Sequence, residues 1–77
     1  MFEYEICANF DSEIFAKQCK ALEDHIPNLH KSKYLEDVDG SQIQIYTSSN
    51  NAEIQVINDK LLGIEVHSDE ELTHYFK

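Results

Sequence analysis

The residues in this 77-residue chain with the most to offer a reaction or a metal ion are four histidines and two cysteines. His25 and His30 straddle Pro27, while His67 and His74 sit at the entry and end of a segment expected to be helical. Neither pair has the i,i+4 spacing of helical zinc ligands, and neither is joined to a cysteine pair at zinc-finger spacing. No metal site and no cofactor are therefore expected. Glu36-Asp37-Val38-Asp39-Gly40 looks faintly like a calcium loop. With Gly40 at the sixth loop position, however, Leu35 and Tyr46 fall where the first and twelfth positions need carboxylates.

Cys7 could meet His67 across neighbouring strands with Glu65 on the same face, which supplies the residue types of nucleophile, base and orienting carboxylate. On an open sheet such a trio lacks the enclosing pocket and oxyanion donors that acyl transfer needs. Glu3 and Glu5 are paired carboxylates without an evident cleft. Two glycines in the whole chain leave no loop to cradle a phosphate. The expectation is a binding domain, not an enzyme.

The elements that hold these residues can be read from periodicity. Phe2, Tyr4, Ile6 and Ala8 alternate with Glu3, Glu5 and Cys7, as in a strand with one buried face. Asp11 can cap a helix from Ser12 to His25, with Phe10 and Phe15 placed as a hydrophobic staple. The apolar positions of that helix, Ile14, Phe15, Cys19, Leu22 and Ile26, form one stripe, and Pro27 stops it. Residues 27 to 33 read as a loop. A strand from Tyr34 to Val38 leads into a tight turn at Asp39-Gly40.

Residues 41 to 47 follow as a strand with Ile43 and Ile45 inward and Gln42, Gln44 and Tyr46 outward. Ile54 and Val56 point inward from a strand at 53–57. A turn at Asn58-Asp59 precedes a strand at 61–66, with Leu62, Ile64 and Val66 inward. Ser68-Asp69-Glu70-Glu71 resembles a capping box opening a short helix, from which Leu72, Tyr75 or Phe76 pack back.

The expected fold is thus one α+β domain over residues 1–77. A long helix packs on one face of a four- to five-stranded, mostly antiparallel sheet, in the order β-α-β-β-β-β-α, with a short C-terminal helix. Where the first strand pairs is left open. Cys7 should lie on the outer face of its strand and Cys19 on the inner face of the helix, so their Cβ vectors point apart and both stay reduced.

Net charge is −9, with fifteen acids against six basic residues, all of them lysine. Residues 1–33 hold six acids and four lysines, a balance of −2; residues 34–77 hold nine acids and two lysines, a balance of −7. Without arginine or clustered lysine, a direct complex with nucleic acid is disfavoured by phosphate repulsion. No apolar run is long enough to span a bilayer, and the N-terminus has no basic stretch followed by an apolar block, so a cytoplasmic location is expected.

The expected interaction surface is the sheet face away from the helix: Glu3, Glu5, Tyr46, Glu53, Gln55 and Glu65, with Tyr46 as an exposed aromatic anchor. Carboxylates there would steer a basic partner. The functional expectation is a small acidic inhibitor, an immunity protein or antitoxin that neutralises a basic, nuclease-like toxin. The alternatives are a nucleic-acid mimic that blocks a DNA- or RNA-binding protein, and a homodimeric adapter joined through a sheet edge.

Overall fold

The computed structural model of the chain describes residues 1–73. Its elements are β1 (Phe2–Cys7), α1 (Ser12–His25), β2 (His30–Glu36), β3 (Gln42–Thr47), β4 (Glu53–Asp59) and β5 (Gly63–Ser68). The five strands make one sheet in the order β1-β5-β4-β3-β2, and every neighbouring pair is antiparallel. β1 and β2 are the two edges, and α1 carries the chain from one to the other over one face.

Local chemistry accounts for the helix. Asp11 is extended (φ −157°, ψ 107°), and its carboxylate accepts from the N–H groups of Glu13 at 3.0 Å and Ile14 at 3.1 Å. Phe15, Cys19 and Leu22 form the buried stripe, with Ile26 beyond it. Pro27 holds Ile26 extended (φ −103°, ψ 112°), which ends the helix after fourteen residues, an ordinary length rather than a long one. Beneath this stripe lie Tyr46, Ile54, Val56, Ile64 and Val66, all fully buried.

The chain departs from the sequence reading mainly where turns set register. β2 begins at His30, so the expected loop shrinks to residues 27–29. At the Asp39-Gly40 turn only Gly40 takes a positive φ, of 91°. The Gly40 N–H donates to the Asp37 carbonyl at 3.0 Å and the Asp37 N–H to the Ser41 carbonyl at 2.8 Å, which makes the loop longer than two residues. β3 then enters with Gln42, Gln44 and Tyr46 facing the helix and Ile43 and Ile45 facing away. This is the reverse of the expected orientation, because a one-residue change in phase exchanges the two faces.

β4 likewise continues through Asn58 and Asp59, and the turn falls at residues 60–62. The Asp59 carboxylate holds it by accepting from the N–H groups of Leu61 at 2.8 Å and Leu62 at 2.9 Å. Leu62, expected inward, is 65% exposed. A bulge between Glu5 and Cys7 sets Cys7 opposite Ile64, on the helix side rather than the outer face. Cys7 and Cys19 are both free.

After β5 the Ser68 hydroxyl accepts from the Glu70 N–H at 3.1 Å and donates to the Glu70 carbonyl at 2.6 Å, closing a bend where a helix was expected. Among the described residues no α-helix follows β5. Leu72 does pack back, fully buried, and its N–H donates to the Tyr4 hydroxyl at 2.8 Å. Tyr75 and Phe76 lie outside the described residues. No helix among those described is long and apolar enough to cross a membrane.

Candidate docking face

Polar partners explain the orientation of β3. Tyr46, fully buried, donates to Glu23 Oε2 at 2.5 Å, with the Cys19 carbonyl 3.5 Å away. Burial, and then the hydrogen bond to Glu23, hold the Tyr46 phenol protonated far above its ordinary range. Gln44 Nε2 donates to the Lys33 carbonyl at 3.0 Å. Gln42 accepts from Asn58 Nδ2 at 2.9 Å and from the Ser12 hydroxyl at 3.2 Å, and donates to the Tyr34 hydroxyl at 2.9 Å. Asn58, itself fully buried, accepts from the Asp11 N–H at 3.1 Å. Every inward polar group of β3 thus has a partner on α1, β2 or β4, so the cost of burying it is met.

The isoleucines displaced by this arrangement lie on the opposite face. Leu35, Ile43 and Ile57 are directly opposed across β2, β3 and β4, and Ile45 stands two residues along β3 from Ile43. The same transverse row continues through Glu65 of β5 to Glu5 of β1, and the next row runs Lys33, Ile45, Gln55, His67, Glu3. The face that α1 leaves uncovered therefore has an apolar half on β2–β4 and a carboxylate half on β5 and β1.

Glu3, Glu5, Glu53, Gln55 and Glu65 all share this face. Tyr46 does not: its ring is in the core, so it cannot act as the exposed anchor expected of it. The apolar band of Leu35, Ile43, Ile45 and Ile57 is what sequence reasoning missed. The signal that could have found it was Ile57, which alternation with Ile54 and Val56 already turns outward.

The charges on this face are poorly compensated. Lysine ion pairs among the described residues all involve α1: Lys17–Glu13 at 3.5 Å, Lys20–Asp24 at 2.9 Å and Lys31–Glu23 at 3.5 Å. On the open face Gln55 Nε2 donates to Glu53 Oε2 at 2.8 Å, and His67 Nε2 pairs with Glu65 Oε1 at 2.8 Å. The donor atoms of Glu3, Glu65 and His67 all lie within 4.8 Å of one another, the one such group of potential metal ligands among the described residues. Cys7 cannot join His67 and Glu65, because the sheet separates them.

The larger groove lies on the other side of the sheet, between α1 and β2. It encloses about 430 Å³ and is lined by Cys19, Glu23, Lys31, Tyr34 and Gln44 among others. Burial pushes the Cys19 thiol above its ordinary range, which disfavours the thiolate a nucleophile needs. A smaller recess of about 220 Å³ adjoins Ile26, Pro27 and Ser48. Comparison with family models, characterised proteins and solved structures gave no match.

Proposed function

We propose that this chain is a small acidic protein-binding inhibitor, of the immunity-protein or antitoxin kind, that occupies a basic surface of a nuclease-like toxin with its open sheet face. The observation that carries the reading is the composition of that face. An uncovered band of Leu35, Ile43, Ile45 and Ile57 runs directly into Glu65 and Glu5, with Glu3 and Glu53 beside them. Apolar area excludes water and lowers koff, while carboxylates that no lysine among the described residues neutralises steer a cationic partner and raise kon. A nuclease cleft built to hold phosphates meets the same charge pattern here. The role is binding rather than catalysis.

The test is capture on the immobilised chain followed by kinetics with the purified captured protein. A basic toxin should be retained, with association slowed about tenfold or more between low and physiological salt. Glu53→Lys should slow association further, and Ile43→Asp should raise koff. Unchanged binding by both variants would overturn the face assignment. Capture of a non-toxic nucleic-acid-binding protein would favour the mimicry reading.

A second reading rests on β2, whose seven residues are exposed throughout. Two copies paired edge to edge would give one continuous sheet. Lys31, Lys33 and the bulge between them work against such pairing. Sedimentation at micromolar concentration tests it: a dimer mass supports the edge contact and a monomer removes it.

A further inference from the structure

We propose that Glu3, Glu65 and His67 form a binding site for a first-row divalent metal ion of the zinc type on the open face of the sheet. The three residues come from two hydrogen-bonded strands. Glu3 is directly opposite His67 across β1 and β5, and Glu65 stands two residues before His67 on the same face. Their donor atoms lie mutually within 4.8 Å, and His67 Nε2 and Glu65 Oε1 are already 2.8 Å apart. Tetrahedral zinc with ligands at about 2.0–2.1 Å separates its donors by about 3.4 Å. His67 and Glu65 therefore need little change, and the exposed Glu3 carboxylate needs to close by at most about 1.4 Å onto the ion.

A second feature, independent of the trio's own contacts, also calls for a cation. Glu5 lies directly opposite Glu65, a like-charge cross-strand pair that is destabilising by itself. No lysine ion pair among the described residues reaches this part of the sheet, since those present all involve α1. A divalent ion held by Glu3 and Glu65 offsets this local excess. One imidazole with two carboxylates suits zinc and its neighbours; magnesium and calcium favour all-oxygen shells with more ligands. Three protein donors leave a further coordination position open to water on the exposed face.

The site does not depend on the docking reading, although the two share residues, because it is measured on the free chain. Zinc is titrated into the reduced, isotope-labelled protein, and the His67 imidazole and the backbone amides of residues 3 and 65 are followed by NMR. Saturation of these signals near one equivalent is expected, with much weaker responses to magnesium and calcium. Glu3→Gln and His67→Ala should each weaken the site by at least about tenfold, a loss already typical of supporting groups alone. His30→Ala should leave it intact.

Glu3 is exposed, so its variant keeps the test informative should His67→Ala perturb folding. Zinc signals confined to other histidines or the cysteines would overturn the site, as would Glu3→Gln binding like wild type. Loss of zinc binding leaves the docking reading standing, and Glu53→Lys, outside the trio, tests that reading separately.

Discussion

Tyr46 shows how one side chain can decide what a strand presents to each face. Its phenol reaches across the core to Glu23, and Gln42 and Gln44 find amide and carbonyl partners on the same side. Removing only the hydroxyl, with Tyr46→Phe, should destabilise the fold by about 1 kcal/mol, because the exposed side of Glu23 can return to water. Urea denaturation checks this through the midpoint. Tyr46 also gives the stability curve its alkaline limb. The folded chain keeps the phenol proton where the unfolded chain loses it near pH 10, so the unfolded state binds fewer protons there and stability falls as pH rises. The Cys19 thiol, also raised by burial, acts in the same direction from about pH 9. Tyr46→Phe should flatten the loss above pH 10, measured as midpoint against pH.

At the scale of elements, the turns hold the information that alternation lacks. Gly63 begins β5 with φ +86°, and a Cβ there would stand 2.2 Å from the Cys7 carbonyl oxygen. Two constraints meet at one position: a backbone region that side chains disfavour, and contact with backbone of β1 that cannot swing aside. Gly63→Ala should therefore cost more than the about 1 kcal/mol of a simple left-handed strain, on the order of 2–4 kcal/mol, by opening the β1–β5 pairing. The measurement is a loss of denaturation midpoint, with amide exchange in residues 2–7 rising first. An alanine variant as stable as wild type would contradict the close approach. Because β1 supplies Glu3 and Glu5, the same variant should disturb the open face.

Across the whole molecule the balance of −9 is borne by surfaces that differ. Three lysines, Lys17, Lys20 and Lys31, pair with acids of α1, whereas the open face gathers carboxylates on β1, β4 and β5. Exposed pairs of the α1 kind are worth little, about 0–1 kcal/mol each, while like charges that face one another on the sheet, such as Glu5 and Glu65, repel. Added salt screens both effects, and repulsion is the larger. The thermal midpoint of the free chain should accordingly rise as NaCl goes from 10 to 150 mM, by calorimetry or circular dichroism. A fall would mean that the ion pairs of α1 outweigh the repulsion of the sheet.

The sequence alone determined where the helix lies, to within a few residues at each end, since a capping aspartate, an apolar stripe and a proline are all local signals. It also determined the α+β class, the inward residues Ile54, Val56, Ile64 and Val66, and the acidic share of the open face, because each follows from alternation within one strand. Only the tertiary structure decided which way β3 turns, since its phase depends on partners more than ten residues away: Glu23 for Tyr46, Asn58 for Gln42 and Lys33 for Gln44. The apolar half of the open face follows from that decision. So does the loss of Tyr46 as an anchor. Strand order likewise needed the whole fold. Glu3 meets Glu65 and His67 only because β1 pairs with β5, a contact across more than sixty residues that no periodicity encodes.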